Sequence, residues 1–447
     1  MKMPAPPPPI DLGVRLAQPD AQEFMRRASG VLVSAIADRY LPWDELRNRH
    51  PPDGLTTEEW WLALKLARTG MKRRLPLTDA EGRQFTYALP DAALRGIEVV
   101  DKHASGRTEV PAPVLPEAPV RDRYVISSLI EEAITSSQLE GALTTRKVAK
   151  EMLRTGRKPR TKDELMIFNN YLGMLRVREV RDVPLSPALI CELHSIITQG
   201  TLEDSLCGRA QLPGEDRVVV ADSHGEVFHV PPSADQLPGR LERLCDFANA
   251  YSDTSYVPPV VRAILAHFML AYDHPFADGN GRTARLLFYW SMLNQDYWLT
   301  EFLPISRLLK KAPVQYARSF LYSEQDEGDL TYFVLYQLKI LQRAITDLHE
   351  YLGRKTAEDR HLRGTLKSMA GTFNHRQLAL LENALKNPDA SYTVTSHARS
   401  HAVASQTART DLRGLEQRGL LSRIRSGRGY GWTPAEDLGG LLKRDIN

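Results

Sequence analysis

Residues 274–285, HPFADGNGRTAR, place a histidine, a carboxylate, two glycines and two arginines within a single turn of chain. The preceding VRAILAHFMLAYD spaces Ile264, Leu265, Phe268 and Tyr272 along one helical face, and the following TARLLFYWSML resumes a helix. The segment therefore reads as a helix–loop–helix junction whose second helix starts near Asn280. Unpaired N–H groups at a helix N-terminus point outward, and the helix dipole adds roughly half a positive charge there, so the junction suits an anion. Gly279 and Gly281 let the backbone approach phosphate oxygens without a Cβ in the way. Arg282 and Arg285, three residues apart, share a face and can reach one polyphosphate. Asp278 beside those cations makes sense as a ligand of Mg²⁺ bridging carboxylate and phosphates. His274, with an ordinary pKa near neutrality, can take a proton from an attacking hydroxyl.

The plain alternative is a capped interhelical turn with His274 in the core and the arginines in solvent. A lone histidine or a lone Gly-x-Gly would favour it. Nine positions agree here, and at about one in twenty per position chance agreement is roughly 10⁻¹².

Around this junction the chain is mostly helical by periodicity. Residues 21 to about 106 read as helical, with one irregular aromatic-rich part (Trp60, Trp61, Phe85, Tyr87). PAPVLPEAP at 111–119 reads as a linker, because its prolines cannot sustain a helix. RVVVADSHGEVFHVPP at 217–232 is the exception, two β-rich runs around a turn at Ser223, His224 and Gly225. Helical-looking VISSLIEEAIT leads into SSQLEG, which sets Ser136 and Glu140 four apart on one face with Gly141 in a C-cap position. By itself that is a helix end carrying an exposed glutamate. Beyond about residue 363 come a helix near 374–386, a short strand at 392–394, two helices and the basic hairpin LLSRIRSGRGYGWTP. Ala408, Leu412 and Leu415 face inward on the second of those helices and Arg409 and Arg413 outward. Arg423, Arg425 and Arg428 decorate the hairpin.

Composition sets the frame. The 447 residues are 42% hydrophobic and 25% charged, ordinary for a globular protein and enough for two or three domains. No apolar run approaches the roughly 18–20 residues that cross a bilayer, so no membrane partner is expected. The proline-rich start MKMPAPPPPIDLG reads as a disordered tail rather than a targeting segment. Three widely spaced cysteines, Cys191, Cys207 and Cys245, form neither a disulfide framework nor a zinc pattern, and point to a reducing cytoplasm. A net charge of +3 is too small to imply nucleic-acid binding by the whole chain.

The motif resembles the Fic (Fido) family signature, HPFx(D/E)GNGRxxR, with every specified position met. That resemblance implies a mainly α fold: a Fido-fold helical core with a β-hairpin flap, a helical N-terminal region and a C-terminal winged-helix domain. It implies transfer of AMP from ATP to a Ser, Thr or Tyr hydroxyl of a protein, either a partner or the chain itself. His274 would be the base, Phe276 the loop anchor and Asp278 the Mg²⁺ ligand. Gly279, Asn280 and Gly281 would form the anion hole, Arg282 would meet the phosphates near the leaving group and Arg285 the γ-phosphate. SSQLEG is similar to the family's inhibitory motif (S/T)xxxE(G/N), in the class where the inhibitory helix precedes the core. Glu140, on the same helical face as Ser136, would then pair with Arg285 and occupy the place of the γ-phosphate. The hairpin, with Val218, Val219, Val220, Phe228, His229 and Val230, resembles the flap that clamps a target segment by strand addition. One departure concerns an arginine the family often carries a few residues after a glycine before the flap; CGRAQLPG offers Gln211 or Arg209 instead.

The expected domains are 1–20, a disordered tail; 21–119, a helical N-terminal domain; 120–183, the inhibitory helix and connecting helices; 184–355, the catalytic core; and 365–447. The last segment resembles a winged helix-turn-helix, whose Arg409, Arg413, Arg423, Arg425 and Arg428 are candidates for DNA contact. Two competing readings keep the fold: a DNA-binding regulator whose core senses nucleotide, and an enzyme that transfers another nucleotide or removes AMP. Target protein, base preference and oligomeric state stay open.

Overall fold

The structure, a computed structural model, describes residues 2–9, 12–34, 39–52, 54–105, 118–221, 225–251, 256–368, 371–386, 390–426 and 429–444. The chain divides into two compact units, Met1–Leu348 and His349–Asn447. The N-terminal helices and the 274–285 motif share the first unit, rather than forming separate domains.

Unit 1 runs α1 (Leu12–Leu16), α2 (Ala21–Ser34), α3 (Trp43–Leu46), α4 (Thr57–Thr69), β1 (Arg73–Thr78), β2 (Gln84–Tyr87), α5 (Asp91–Ala104), α6 (Ala118–Leu139), α7 (Arg146–Thr155), α8 (Lys162–Glu179), α9 (Pro187–Thr198), β3 (Val220–Ala221), β4 (Val227–His229), α10 (Leu237–Ala248), α11 (Pro259–Asp273), α12 (Asn280–Asn294), α13 (Ser306–Lys311) and α14 (Pro313–Gln325). The long helix α15 (Thr331–Ser368) begins in unit 1 and continues past the expected end of the core at 355.

The centre of unit 1 is the pair α11 and α12. The one-faced helix expected at 264–272 is buried on every side, from Val260 through Leu270. A helix apolar all round belongs in a core, and α5, α10 and α12 pack around this one. Thr56 and Glu59 form a reciprocal capping box that starts α4. Trp61, on that helix, packs with Phe24 and Trp43 in a smaller N-terminal core.

Three sequence expectations are corrected here. Trp60 and Trp61 lie in regular helix, while Phe85 and Tyr87 belong to an antiparallel hairpin, β1–β2, with Arg73 opposite Tyr87. Its turn is tied by the Asp79 carboxylate, which accepts from Glu81 N and Arg83 N. Residues 111–117 of the expected linker lie outside the described residues, but Ala118 and Pro119 open α6; proline is tolerated in a first helical turn. The expected tail is docked at its start: Pro4 is buried, Ala5 N donates to Asp44 Oδ1 at 2.9 Å, and Pro4 O accepts from Gln325.

The flap hairpin is shorter than its valine runs suggest. Among the described residues only Val220–Ala221 and Val227–His229 pair, and Val218, Val219 and Val230 lie exposed outside the strands. Ser223 and His224 of the expected turn lie outside the described residues.

Unit 2 contains α16 (His375–Lys386), α17 (Val394–His401), α18 (Ser405–Gln417), β5 (Leu421–Ser426), β6 (Gly429–Pro434) and α19 (Leu438–Arg444). Strands β5 and β6 pair from Leu421↔Pro434 to Ser426↔Gly429, and Tyr392 exchanges two 2.8 Å backbone bonds with Trp432. Leu381, Leu412, Leu415, Trp432 and Leu442 form its core. Among the described residues no helix is long and apolar enough to cross a membrane.

Candidate active site

Helix α11 ends at Asp273, and His274 turns the chain in the left-handed region (φ 45°, ψ 52°), its N–H closing onto Leu270 O at 3.1 Å. A histidine there is strained, so something must hold it. Arg217 does. Its Nη2 donates to Asp273 O at 2.6 Å and His274 O at 3.0 Å, its Nε to Pro232 O at 2.7 Å, and its Nη1 to Gln211 Oε1. Gln211 N in turn donates to Pro275 O at 2.8 Å. Arg217, three residues after Gly214, thus holds the bend from just before the flap. Arg209 pairs with the surface carboxylate of Glu215 instead, and Gln211 serves as support for Arg217.

Past the bend, Phe276 is fully buried and stacks on His194, ring centroids 3.7 Å apart and 5° from parallel. His194 Nδ1 accepts from Gly208 N at 2.9 Å, which leaves Nε2–H to donate to Asp278 O at 2.8 Å. Burial pushes the His194 pKa down to about 4, so the ring stays neutral and this tautomer is fixed. The Asn280 side chain closes the loop, accepting from Phe276 N at 2.9 Å and donating to Phe276 O at 2.8 Å. Gly279, at φ 83°, is the N-cap of α12.

The three charged motif side chains go to different places. The Asp278 side chain is 61% exposed, with Oδ2 3.8 Å from Arg282 Nη2. Arg282 is buried, donating from Nη1 to Ile197 O at 2.9 Å, and its Nε has no partner among the described residues. Burial lowers the Arg282 pKa, and Asp278 and Glu140 oppose that shift. Arg285 is buried between α6 and α12. Its Nε donates to Ser136 Oγ at 2.8 Å, and its Nη2 donates to Ser136 O at 3.1 Å and meets Glu140 Oε1 at 2.8 Å. Burial alone would lower the Arg285 pKa, yet the Glu140 carboxylate outweighs it and the pKa rises.

The carboxylate of Glu140 occupies the mouth of the anion seat. A Cβ on residue 281 would stand 2.2 Å from Glu140 Oε1, so only glycine leaves room for that oxygen over the first turn of α12. Gly141 ends the SSQLEG segment at φ 99°, with Ala142 N bonded back to Ser137 O at 3.0 Å.

A cavity of about 220 Å³ gathers Glu140, Gly281, Arg285 and His274 with Val220, Phe228 and His229 of the hairpin. Asp278, Gly279, Asn280 and Arg282 stand on the adjoining loop and helix rather than in its lining. Its remaining wall is α14, through Tyr316, Phe320, Leu321 and Glu324, which sequence reading did not single out. Their spacing on one helical face was legible, but an apolar face toward a cavity has the same pattern as one toward a core. His229 anchors the hairpin: Nδ1 meets Glu324 Oε2 at 2.7 Å and Nε2 meets Tyr272 O at 2.7 Å. Burial disfavours its charge, but the Glu324 hydrogen bond and charge raise its pKa. His274 itself is pushed down to about 4, first by burial, so its imidazole is neutral at pH 7.

Fold and site together define a helical protein with a glycine-flanked helix N-terminus beside buried Arg285, a neutral histidine next to it and a short hairpin lining the cavity. Residues 184–292 match the family described as Fic/DOC, and they form a Fic/DOC-family domain. The protein adenylyltransferase Fic of Nematostella vectensis is 27% identical over 207 residues, 45% of each chain. The protein adenylyltransferase fic-1 of Caenorhabditis elegans is 35% identical over 130 residues, 29% of this chain and 23% of that one. The chain thus spans less than half the length of these curated relatives. A crystal structure of a Fic family protein from Desulfovibrio desulfuricans aligns with a TM-score of 0.48 at 18% identity, covering 78% of this chain and 97% of that one.

Proposed function

We propose that this chain transfers AMP from ATP to a Ser, Thr or Tyr hydroxyl of a protein, a partner or itself, and that Glu140 restrains it. The observation that carries the reading is the Glu140 carboxylate, which sits over Gly281 and pairs with buried Arg285 where a phosphate would otherwise bind. A carboxylate in that seat is a stand-in for an anionic ligand, and ATP supplies the matching anion.

In the reaction, the triphosphate lies across the N-terminus of α12, with Arg285 freed from Glu140 to meet its terminal phosphate. His274 Nδ1 lies 3.3 Å from Ala271 O, which favours the proton on Nδ1 and leaves the Nε2 lone pair as base. The target hydroxyl oxygen attacks the α-phosphorus, the α–β P–O bond breaks, pyrophosphate leaves, and the hydroxyl proton passes to Nε2. Exposed Asp278, beside the anion seat, fits a Mg²⁺ site built from one carboxylate and substrate phosphates. Mg²⁺ bound there would neutralise phosphate charge. The hairpin, pinned by His229, offers unpaired strand edges to a target segment.

The test is labelling with ATP carrying radioactive α-phosphate, in Mg²⁺, of the unmodified chain, Glu140→Gly, and Glu140→Gly with His274→Ala. Strong label is expected in the second, at least tenfold above the first, and none above background in the third. Equal labelling of the first two at saturating ATP would remove Glu140 from its inhibitory role.

A second reading concerns unit 2. Arg409 and Arg413 are exposed on α18, and exposed Arg423 lies over the Tyr430 ring at 3.7 Å. Arg428 and the Arg425 side chain lie outside the described residues. Helix plus hairpin with this basic face suits a winged helix on DNA, helix in the major groove and hairpin on phosphate. Fluorescence anisotropy on a duplex pool should show binding that weakens steeply with salt and falls at least tenfold in Arg409→Ala with Arg413→Ala. Salt-insensitive or unchanged binding would exclude it.

A further inference from the structure

Helix α14 has a second face, turned away from the nucleotide cavity. There Arg318 and Tyr322 line a separate, solvent-open cavity of about 390 Å³, with Tyr40 and, on α15, Tyr332, Tyr336 and Lys339 on its other sides. Tyr40 and Tyr332 have their hydroxyls engaged elsewhere, donating to Asp329 at 2.6 Å and Asp326 at 2.7 Å. Their rings, edge to face at 5.2 Å, are what remains to wall the cavity. The Arg318 guanidinium bonds Tyr322 of the same lining, but two donor atoms there stay unused. Arg318 Nε and Tyr336 Oη are both buried without a hydrogen-bond partner among the described residues. A buried polar group left unpaired is costly, so two around one cavity call for an acceptor that binds between them.

From these features we infer that the cavity binds a small aromatic acid, a ring flanked by the tyrosines with a carboxylate or phosphate between Arg318 and Lys339. Size permits it, since a cavity of about 150 Å³ already takes benzene. Aromatic walls favour a flat ring in stacked or edge contact. The charge pattern fixes the sign of the head group: Arg318 and Lys339 outnumber Glu45, the acid of this lining, which is exposed. The guanidinium fork suits a planar carboxylate or a phosphate. ATP has its own cavity across α14, and the Tyr336 and Tyr316 rings, 6.3 Å apart and 28° from parallel, stand between the two. The two ligands should therefore bind together without competing.

The test uses 4-fluorobenzoate and 4-fluorophenyl phosphate with the full chain, read by broadening of the ¹⁹F resonance. Binding is read without any transfer reaction, so its outcome is independent of the AMP-transfer reading. At least one probe should broaden with saturating ATP present, and the stronger of the two names the head group. Arg318→Gln should weaken that probe at least tenfold and Tyr336→Phe about threefold, with melting temperature and ATP binding unchanged. Lys339→Gln, at an exposed position, gives a second variant should Arg318→Gln fold poorly, with a weakening of at least threefold expected. No binding of either probe, displacement by ATP, or undiminished binding in the folded variants would overturn the assignment.

Discussion

The catalytic candidate His274 is placed by a residue that is not part of the motif. Four groups accept from the Arg217 guanidinium, and two of them are the carbonyls of Asp273 and His274 that bracket the left-handed bend. Lysine keeps the charge but has no fork, so it cannot span Pro232, Gln211 and both carbonyls at once. Arg217→Lys in the Glu140→Gly background should therefore lower the rate of label transfer about 100-fold, the cost of roughly an ångström of misplacement at a reacting centre. ATP affinity, set across the loop at α12 and Arg285, should stay within about twofold by calorimetry. A change in affinity with an unchanged rate would mean that Arg217 serves the nucleotide rather than the base. The sequence held a signal for this residue, an arginine shortly after a glycine and just before the hairpin. That it reaches the 273–274 bend was not legible, because side-chain reach across 56 residues of chain is not written in local spacing. For His194 there was no signal at all: a histidine on the apolar face of a helix reads as core, and here it is core that also fixes Asp278.

At the scale of elements, the helix–loop–helix of the motif was legible because its punctuation is local. Glycines at 279 and 281 break the pattern between two strongly apolar runs, and α12 starts at Asn280 as expected. The helix ending in SSQLEG was legible for the same reason, with Gly141 in the left-handed region just past it. Hairpin β1–β2 was not legible. Its alternation, Leu75 and Leu77 against Phe85 and Tyr87, is present, but Pro76 sits inside the first run and proline argues against a strand. The structure accommodates it because β1 belongs to a sheet of only two strands, where one side has no partner to accept or donate. The flap strands failed in the opposite direction. Val218, Val219 and Val230 have high strand propensity, yet the return run meets Pro231 and Pro232, which have no N–H to extend the ladder beyond Val220↔His229. Edges left open in this way are also what a target segment needs if it is to add a strand.

For the molecule as a whole, the N-terminal hundred residues share unit 1 with the motif, and besides their apolar contacts a polar hub around one buried carboxylate ties them there. Asp329, fully buried where α14 hands over to α15, accepts from Tyr40 Oη at 2.6 Å and Thr331 N at 3.1 Å and pairs with Lys72 Nζ at 2.9 Å. Next to it, Lys65 on α4 bonds Asp326 at 2.6 Å, and Thr86 N donates to Gly328 O at 3.0 Å. Four widely separated stretches of chain therefore meet at one turn, and Phe85 completes the join by packing edge-on to Phe268 of α11 at 5.7 Å. Composition and periodicity cannot reveal such a hub, because each member reads as an ordinary surface polar residue. Burial would raise the pKa of Asp329, but Lys72 and the hydrogen bonds of Thr331 and Tyr40 outweigh it and the pKa is lowered. A depressed carboxylate contributes stability that is fully present above its unfolded value of about 4 and is lost as pH falls through its folded value. Replacing it with a neutral isostere strands Lys72, and breaking a buried pair in this way costs about 3–5 kcal/mol. Asp329→Asn should accordingly lower the melting temperature at pH 7 by about 5–10 °C and open the N-terminal helices to protease first. Asp20→Asn, which breaks the exposed pair with Arg15, should change it by less than about 2 °C. The gap between Asp329→Asn and the unmodified chain should narrow as pH is taken below 4, where the carboxylate of the unmodified protein begins to take up its proton. Equal melting temperatures at pH 7 would mean that the N-terminal helices are held by their apolar contacts alone and that the polar hub merely satisfies groups burial has already forced together.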